Sequence, residues 1–489
     1  MVNKIEVGKI EAERIPTQPI ETKKPEARQI ANPDVIIIGG GIAGLAAALR
    51  CQDHGLTPLV LEAEARVGGR MTTDRVNGFL IDRGVTLLGK KFTRMRSLAR
   101  RLGLGNRMHD GGFKLGLEDG GKVRSFRDRR PDDLFRDSGL SWDAKRATFR
   151  FFLDLCRNRS RLAHGESGRA LHLDRENVAQ YLAHSGSGGT ELLNRFFEPS
   201  MCGPVGGSVA NLSAEVFFQT IRNTLAAGFW GVDDGVDLIP KTIAAQVPVQ
   251  TNAHVLQVRH KGPGPQVTVE AIVEGRPQRY TARGCIFAVP GHLVPGLCPD
   301  LPEWIVLPLS HTRYASMASA HVALRKPPQA AYSGYGFAGE RMDGVQALEF
   351  EHLRSPFLCP QGRGLISIYY KQTPTFPVIA SSDDALRTSA IQLMRRTFPD
   401  IAHDILFVHL VRWPAGIALF PAGRLTEMAA LRTKLTGWDA PLDFCGDYLD
   451  GLSSEGALCT GEQAADRMFA RLNEYRPLER VVARLAGCA

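Results

Sequence analysis

A chain of 489 residues with 44% hydrophobic and 23% charged residues is longer than one hydrophobic core normally serves and has ordinary globular usage, which excludes a disordered or fibrous protein and points to two domains. The formal net charge of +9 is concentrated: between Lys90 and Arg161 there are twenty Lys and Arg against nine Asp and Glu, so a basic tract, not a basic protein, needs explaining. No apolar run reaches the roughly 18 residues that cross a bilayer, and nine scattered cysteines without a CxxC pair argue against a disulfide framework or a metal site.

Residues 1–33 are rich in Lys, Glu and Pro, lack a sustained apolar period and are too charged for a signal peptide; the expectation is a flexible tail on a cytoplasmic protein. Val35-Ile36-Ile37-Ile38 is a continuous β-branched run of the kind buried on both faces of a parallel sheet. A glycine-rich turn follows, Gly39-Gly40-Gly41-Ile42-Ala43-Gly44, then an alanine-rich helix predicted over 42–54 and stopped by Gly55, then a strand at Pro58-Leu59-Val60-Leu61, which completes a βαβ unit. From Phe92 to about Thr224 the pattern predicts mainly helix, with apolar residues at helical spacing over 144–156. A helix is predicted over 238–246, and short alternating strands over 253–260, 266–273 and 278–282, closed by Ile286-Phe287-Ala288-Val289-Pro290. Further strands are predicted over 318–325, 365–370 and 405–412, and a closing helix over 461–472 that packs back on the βαβ unit.

Standing between a strand and a helix, Gly39, Gly41 and Gly44 form a GxGxxG turn. The first glycine permits the tight turn, the second lets backbone approach a pyrophosphate, and the third lets helix and strand pack closely, while the helix N-terminus at Ile42 and Ala43 faces the phosphate charge. Glu62 ends the second strand eighteen residues after Gly44, where a carboxylate accepts from both ribose hydroxyls of an adenosine and repels a 2′-phosphate. Arg66-Val67-Gly68-Gly69-Arg70 comes next: paired glycines let backbone amides close on phosphate oxygens, and Arg66 and Arg70 neutralise them. Far along the chain stand Phe444-Cys445-Gly446-Asp447, then Ser454-Glu455-Gly456-Ala457 and Gly461.

With Gly-Gly-Arg after the acid and a Gly-Asp pair followed by Glu-Gly-Ala, the sequence resembles the FAD-dependent amine oxidase superfamily. Two further stretches are similar to its protoporphyrinogen oxidase-like branch: Phe197-Glu198-Pro199 with Gly203 and Leu212-Ser213-Ala214, and Arg412-Trp413 with Phe420-Pro421-Ala422-Gly423-Arg424. That branch continues from Trp into Ala-Ile-Pro and a Tyr, whereas this chain has Gly416-Ile417-Ala418-Leu419-Phe420, which speaks against a porphyrinogen as substrate. The resemblance implies an α/β fold: a Rossmann-like FAD-binding domain of the GR2 type, from 34–92, 231–299 and 437–475, with an interleaved α+β substrate-binding domain from 93–230 and 300–436. It further implies noncovalent FAD, since family attachment cysteines lie well upstream of Cys445. Asp447 is expected on a ribityl hydroxyl, Val255 at the adenine edge, and the helix N-terminus near Glu455, Gly456 and Ala457 beside the flavin N1–C2 edge, where its positive end stabilises the anionic reduced flavin.

The implied activity is oxidation of an organic substrate at a C–N or C–C bond by hydride transfer to flavin N5, with oxygen or another acceptor restoring the flavin. The alternatives are an FAD-dependent desaturase or isomerase of a polyene or lipid, and a flavin-binding protein without turnover. Positioning does much of the work in such enzymes, so no obligatory acid or base is required. Lys371, as the holder of a water near N5, and Trp413 are the catalytic candidates; His311, His321 and His352 read as ordinary strand or loop histidines. The expected partner is a small, largely apolar substrate at the domain junction. Nucleic acid is not expected, because no recognition motif accompanies the charge. The tract 90–161 is either a solvated face or a surface attracted to an anionic substrate or to a membrane periphery, and the oligomeric state stays open.

Overall fold

The computed structural model describes residues 32–486 apart from 137, 166–168, 225–226, 261–265, 338–343 and 373–375, so the tail expected over 1–33 falls almost wholly outside the described residues. The four β-branched residues of β1 (Val35–Ile38) are all buried, as a strand covered on both faces requires. They lead into α1 (Ile42–Asp53), β2 (Pro58–Leu61), α2 (Thr93–Arg101), β3 (Val249–Gln250), β4 (Gly284–Phe287), β5 (Leu442–Phe444) and the closing helix α3 (Ser454–Ala486). The five strands form one parallel sheet in the order β3-β2-β1-β4-β5.

Register decides what this sheet presents. Ile38 pairs with Phe287 and Phe287 with Phe444. The residues that leave these three strand ends, Gly39, Ala288 and Cys445 followed by Gly446, therefore emerge side by side at the carboxyl edge, where open α/β sheets bind their ligands. Helix α3 crosses α1 so closely that a Cβ on Gly461 would lie 2.2 Å from the Ala43 carbonyl oxygen. It begins seven residues before Gly461, earlier than periodicity predicts, because Ser453 caps it: its Oγ accepts from the Gly456 amide at 3.0 Å. Helix α2 buries Met95, Leu98 and Ala99 in the core shared with β1 and α1, and so packs with the nucleotide-side elements instead of with the portion 93–230 assigned to substrate.

The stretch expected to be mainly helical departs from that expectation at its start. After α2, strands run over Met108–Gly111, Lys114–Asp119 and Lys122–Arg127, and α-helix resumes only at Trp142–Asn158. Gly120 and Gly121 take φ of +59° and +83° between the second and third strands, a two-residue hairpin turn whose left-handed backbone glycine enters without strain. This hairpin joins the edge of a seven-stranded sheet in the order 405–418, 314–324, 364–371, 345–350, 334–337, 114–119, 122–127. Strands from both sides of the nucleotide-binding elements thus share one sheet.

Alternation splits this sheet into two faces. Ala318, Ala320 and Val322 with Ile366, Ile368 and Tyr370 bury themselves under Leu386, Ala390 and Leu393 of the helix Asp383–Thr397. The opposite face carries Met317, Ser319 and His321, flanked by Lys371, Tyr369 and Ser367 on one side and by Trp413, Val411 and His409 on the other. It meets the nucleotide side: Trp413 Nε1 donates to the Arg83 carbonyl at 2.8 Å, and His409 Nε2 lies 2.8 Å from Asp74 Oδ2. His321 is fully buried, with its two ring nitrogens each 2.8 Å from a hydroxyl, of Ser319 and Ser367; burial pulls its pKa down to about 3, which makes it a neutral strand histidine.

Asp82 gives this interface a pH dependence. Its Oδ1 accepts from Thr73 Oγ1 at 2.6 Å and from the Val236 amide at 3.1 Å, yet burial outweighs both bonds and pushes the carboxyl up to about 7. Between the ordinary carboxylate value of about 4 and that raised value the folded state holds more protons than the unfolded one, so stability falls as pH rises through the window. Asp82→Asn keeps an acceptor for both bonds and has no charge to bury. Its urea midpoint should match wild type near pH 4 and exceed it increasingly up to pH 7; parallel midpoint curves would show that Asp82 is ionised throughout.

Candidate functional site

The glycines after β1 divide the labour that their spacing implies. A Cβ on Gly39 (φ +108°) would lie 2.7 Å from the Ala288 carbonyl oxygen, and one on Gly44 would lie 2.0 Å from the Gly39 carbonyl oxygen, so both are required by the packing of turn against strand. Gly41 differs: a Cβ there meets nothing within 4 Å. It is also the N-cap of α1, with no side-chain cap and no acidic residue in the first turn. The first-turn amides at Ile42, Ala43 and Gly44 have no intrahelical carbonyl to bond, which makes the open space beside Gly41 a cradle for an anion.

Glu62 stands next to it. Its Oε2 accepts from the Gly40 amide at 2.6 Å and its Oε1 from the Glu64 amide at 2.8 Å; burial raises the carboxyl above its usual range, against those two bonds. The Glu62 carbonyl accepts from the Ala253 amide at 2.8 Å, which sets Val255 two residues further along the neighbouring strand, buried and at a register shift between Val255 and Gln257. The Arg-Gly-Gly loop closes the other wall. The Gly68 amide donates to the Gly40 carbonyl at 2.8 Å, Gly68 and Gly69 take φ of +103° and +55°, and a Cβ on Gly69 would touch the Gly41 Cα at 3.4 Å. Arg66 Nη1 donates to the Gly69 carbonyl at 3.1 Å, and its partly exposed guanidinium also stands 3.6 Å from Glu64 Oε2.

Arg70 has partners within the protein: its guanidinium grips Asp447 with two bonds, Nη1 to Oδ2 at 2.7 Å and Nη2 to Oδ1 at 2.8 Å, and Nη1 also reaches the Gly416 carbonyl at 3.0 Å. It lies over the Tyr314 ring, 5.5 Å from the centroid. Burial opposes its charge, but Asp447 holds it protonated. A planar fork facing a carboxylate is among the strongest side-chain pairings. Here it ties the first motif to the last across 377 residues of chain. Asp447 is accordingly engaged in the pair, although it follows Gly446 (φ +153°) at the end of β5 as its motif implies.

Glu455 also has partners within the protein. Its two oxygens accept from the Arg94 and Met95 amides, both at 2.8 Å, so the carboxylate caps the free N-terminus of α2. The next amides are engaged as well: Gly456 donates to Ser453 Oγ at 3.0 Å, and Ala457 donates to the Ser453 carbonyl at 3.1 Å. Beneath this helix start lies a buried set that no local pattern announced. Ser453 Oγ is 2.9 Å from His164 Nε2, His164 Nδ1 is 3.3 Å from Asp450 Oδ2, and Arg432 donates to Asp450 Oδ1 at 2.9 Å. Burial works against ionisation of Asp450, yet His164 and Arg432 hold its carboxyl below the usual range.

The two catalytic candidates, Lys371 and Trp413, come together in one row of the seven-stranded sheet, each paired with Met317 from opposite sides. Trp413 also packs under Arg83, 5.5 Å from the guanidinium carbon. The stretches Leu212-Ser213-Ala214 and Phe420 to Arg424 meet as well: the Ser213 amide donates to the Phe420 carbonyl at 2.8 Å, and Ser213 Oγ and Thr426 Oγ1 both donate to Asp174, at 2.6 and 2.7 Å. Tyr314, Arg83 and His164 escaped the sequence reading because each acts through a partner far away in the chain.

The residues fit FAD. An open Gly41 at a bare helix start suits a diphosphate, Glu62 suits a ribose, and the carboxyl edge brings β5 and Gly446 to the same crevice. Comparison with known proteins agrees. The family model of flavin containing amine oxidoreductases matches residues 42–469. Among curated relatives, rat flavin-containing amine oxidase B is 49% identical over 72 residues, a stretch that spans 14% of each chain. Among solved structures, putrescine oxidase bound to putrescine superposes with a TM-score of 0.70 at 19% identity, over 90% of this chain and 99% of that one. A candidate protoporphyrinogen oxidase from Exiguobacterium gives 0.69 at 15% identity, over 89% and 98%.

Proposed function

The chain belongs to the flavin-containing amine oxidoreductases, and on that premise we propose that it is an FAD-dependent oxidase that oxidises the C–N bond of a neutral, largely apolar amine with noncovalently held FAD. The observation that carries the substrate reading is the row Lys371, Met317 and Trp413 on the sheet face turned toward the nucleotide side, joined to the Arg70–Asp447 pair through Gly416. Met317 and Trp413 offer apolar surface to the substituent of an amine. The half-buried Lys371 adds a cation to that face, so a protonated amine is repelled and the neutral form, whose nitrogen lone pair supports loss of hydride from the adjacent carbon, is favoured.

When bound, the flavin supplies the redox chemistry, taking the hydride and passing the electrons to oxygen or another acceptor. What the chain's own residues do is position and tune. Glu62 and Gly41 hold the nucleotide half, Arg66 offsets charge, and the packing of Met317 and Trp413 orients the substrate and keeps water out. Noncovalent attachment is favoured by the place of Cys445: it is buried in the core that β1 and α1 share, and burial pushes its thiol far up, away from the thiolate. The departure at Gly416 to Phe420 favours an amine over a porphyrinogen.

The test is an anaerobic spectrum. Mixing the yellow protein with monoamines, diamines, porphyrinogens and polyenes should bleach the flavin band with an amine, and the bleaching rate at fixed amine should rise about tenfold per pH unit below the amine's pKa. Bleaching by porphyrinogen or polyene alone would overturn the amine reading.

A further inference from the structure

The helix Trp142–Asn158 buries one face and exposes another that is unlike an ordinary solvated surface. Its inner face is firmly seated: Phe151 packs with ring centroids 5.1, 5.7 and 4.7 Å from those of Phe197, Phe217 and Phe218, and Ala144, Ala147 and Leu155 are buried beside it. On the outer face Trp142 is 78% exposed, Phe149 64% and Leu153 39%. At 3.6 residues per turn these three positions fall within an arc of about 40°, so they form a single apolar stripe along the helix. The stripe cannot be an error of packing, because the core face of the same helix is already filled.

Cations border it. Lys145 Nζ stands over the Trp142 ring at 5.2 Å, and Arg146, Arg150 and Arg157 are exposed on the same helix, followed by exposed Arg159 and Arg161. Only two acids lie on the helix, and both are turned to its flank: Asp143 contacts Arg146 at 3.4 Å, and Asp154 contacts Arg157 at 3.1 Å and accepts from the Tyr181 hydroxyl at 2.8 Å. From Trp142 to Arg161, six basic residues stand against two acidic ones. Part of the chain's basic tract is thereby gathered on one convex, apolar-striped surface.

We propose that this face docks on an anionic lipid surface, with Trp142, Phe149 and Leu153 entering the headgroup region and the arginines and Lys145 meeting lipid phosphates. Charge complementarity and shape favour a bilayer over a protein partner. Three apolar side chains in single file on a convex helix do not make the broad desolvated patch of a protein interface, whereas an aromatic stripe flanked by Arg and Lys suits the boundary between acyl chains and headgroups. The proposal stands apart from the amine reading, since vesicle binding does not require turnover.

Co-sedimentation of the full yellow protein with phosphatidylcholine vesicles, with and without phosphatidylglycerol, tests it. Binding should require phosphatidylglycerol, weaken as salt rises, and fall by about tenfold or more in Trp142→Ser/Phe149→Ser, with the flavin spectrum unchanged. Arg146→Gln/Arg150→Gln should weaken it too while leaving the apolar stripe intact. Absent or composition-independent binding, or undiminished binding by the Trp142/Phe149 variant, would overturn the proposal. So would a wild-type dimer that the same variant splits in size-exclusion chromatography, which would give the face to a second copy of the chain.

Discussion

Gly44→Ala should yield no stably folded protein, whereas Gly41→Ala should yield a stable protein without colour. The two glycines are three residues apart in one motif, and the contrast follows from what a methyl group meets. At Gly44 it would stand 2.0 Å from the Gly39 carbonyl oxygen and 3.0 Å from the Ala288 Cβ. Both are fixed, the first by the turn after β1 and the second by β4, so relief requires lifting α1 off the sheet. Such a clash in backbone belongs to the exceptional mutational class of about 4 kcal/mol or more, a large share of the roughly 5–15 kcal/mol that holds a domain folded. At Gly41 the backbone (φ −72°, ψ 174°) is open to any residue and the methyl meets nothing, so the apparent melting temperature without added flavin should stay at or slightly above that of deflavinated wild type. The space that it fills is where the diphosphate must approach the backbone, and FAD affinity should drop by at least about 100-fold, close to 3 kcal/mol. Thermal unfolding and the flavin absorbance of the purified variants read both outcomes.

Breaking the Arg70–Asp447 pair should be the second large effect. Arg70→Met leaves Asp447, whose side chain is 10% exposed, without its cation, and a partly buried charge stripped of its partner costs about 3–5 kcal/mol. Asp447→Leu leaves a guanidinium with only the Gly416 carbonyl and the face of Tyr314. The double variant Arg70→Met/Asp447→Leu should be less destabilised than the sum of the single variants by about 2 kcal/mol or more, because neither charge is left behind. Urea midpoints of the three variants measure this coupling. Additive losses would mean that the pair does not act as a unit and that the first and last motifs are held together by packing alone.

Much of the architecture was legible in the chain because it rests on strong local signals. The run Val35 to Ile38, the glycine turn and the strand Pro58 to Leu61 appear as read, and α1 ends at Asp53, one residue short of its predicted end at His54. The alternating strands near 253, 267 and 276 also stand within two residues of their expected starts. Where the reading fell short, the cause was a short signal outweighed by its surroundings, or a partner beyond any local window. Gly120-Gly121 is a hairpin signal, but it lies in a tract whose later part is helical. Ser453 starts α3 as a cap, seven residues before the apolar period suggests, although the Glu455-Gly456-Ala457 motif had implied a helix start there. Arg70 and Glu455 were read through their motifs, and each finds a partner more than 350 residues away, on Asp447 and at the start of α2. No periodicity encodes such pairs; they exist only once register has aligned the strand ends.

The central claim is that three distant motifs converge on one FAD whose diphosphate lies against Gly41 at the start of α1. Titrating deflavinated wild type and Gly41→Ala with FAD in parallel tests it most directly. The geometry predicts saturable uptake of one FAD per wild-type chain and at least about 100-fold weaker uptake by the variant. A wild-type chain that takes up no FAD, or a variant that takes it up equally well, would contradict the account.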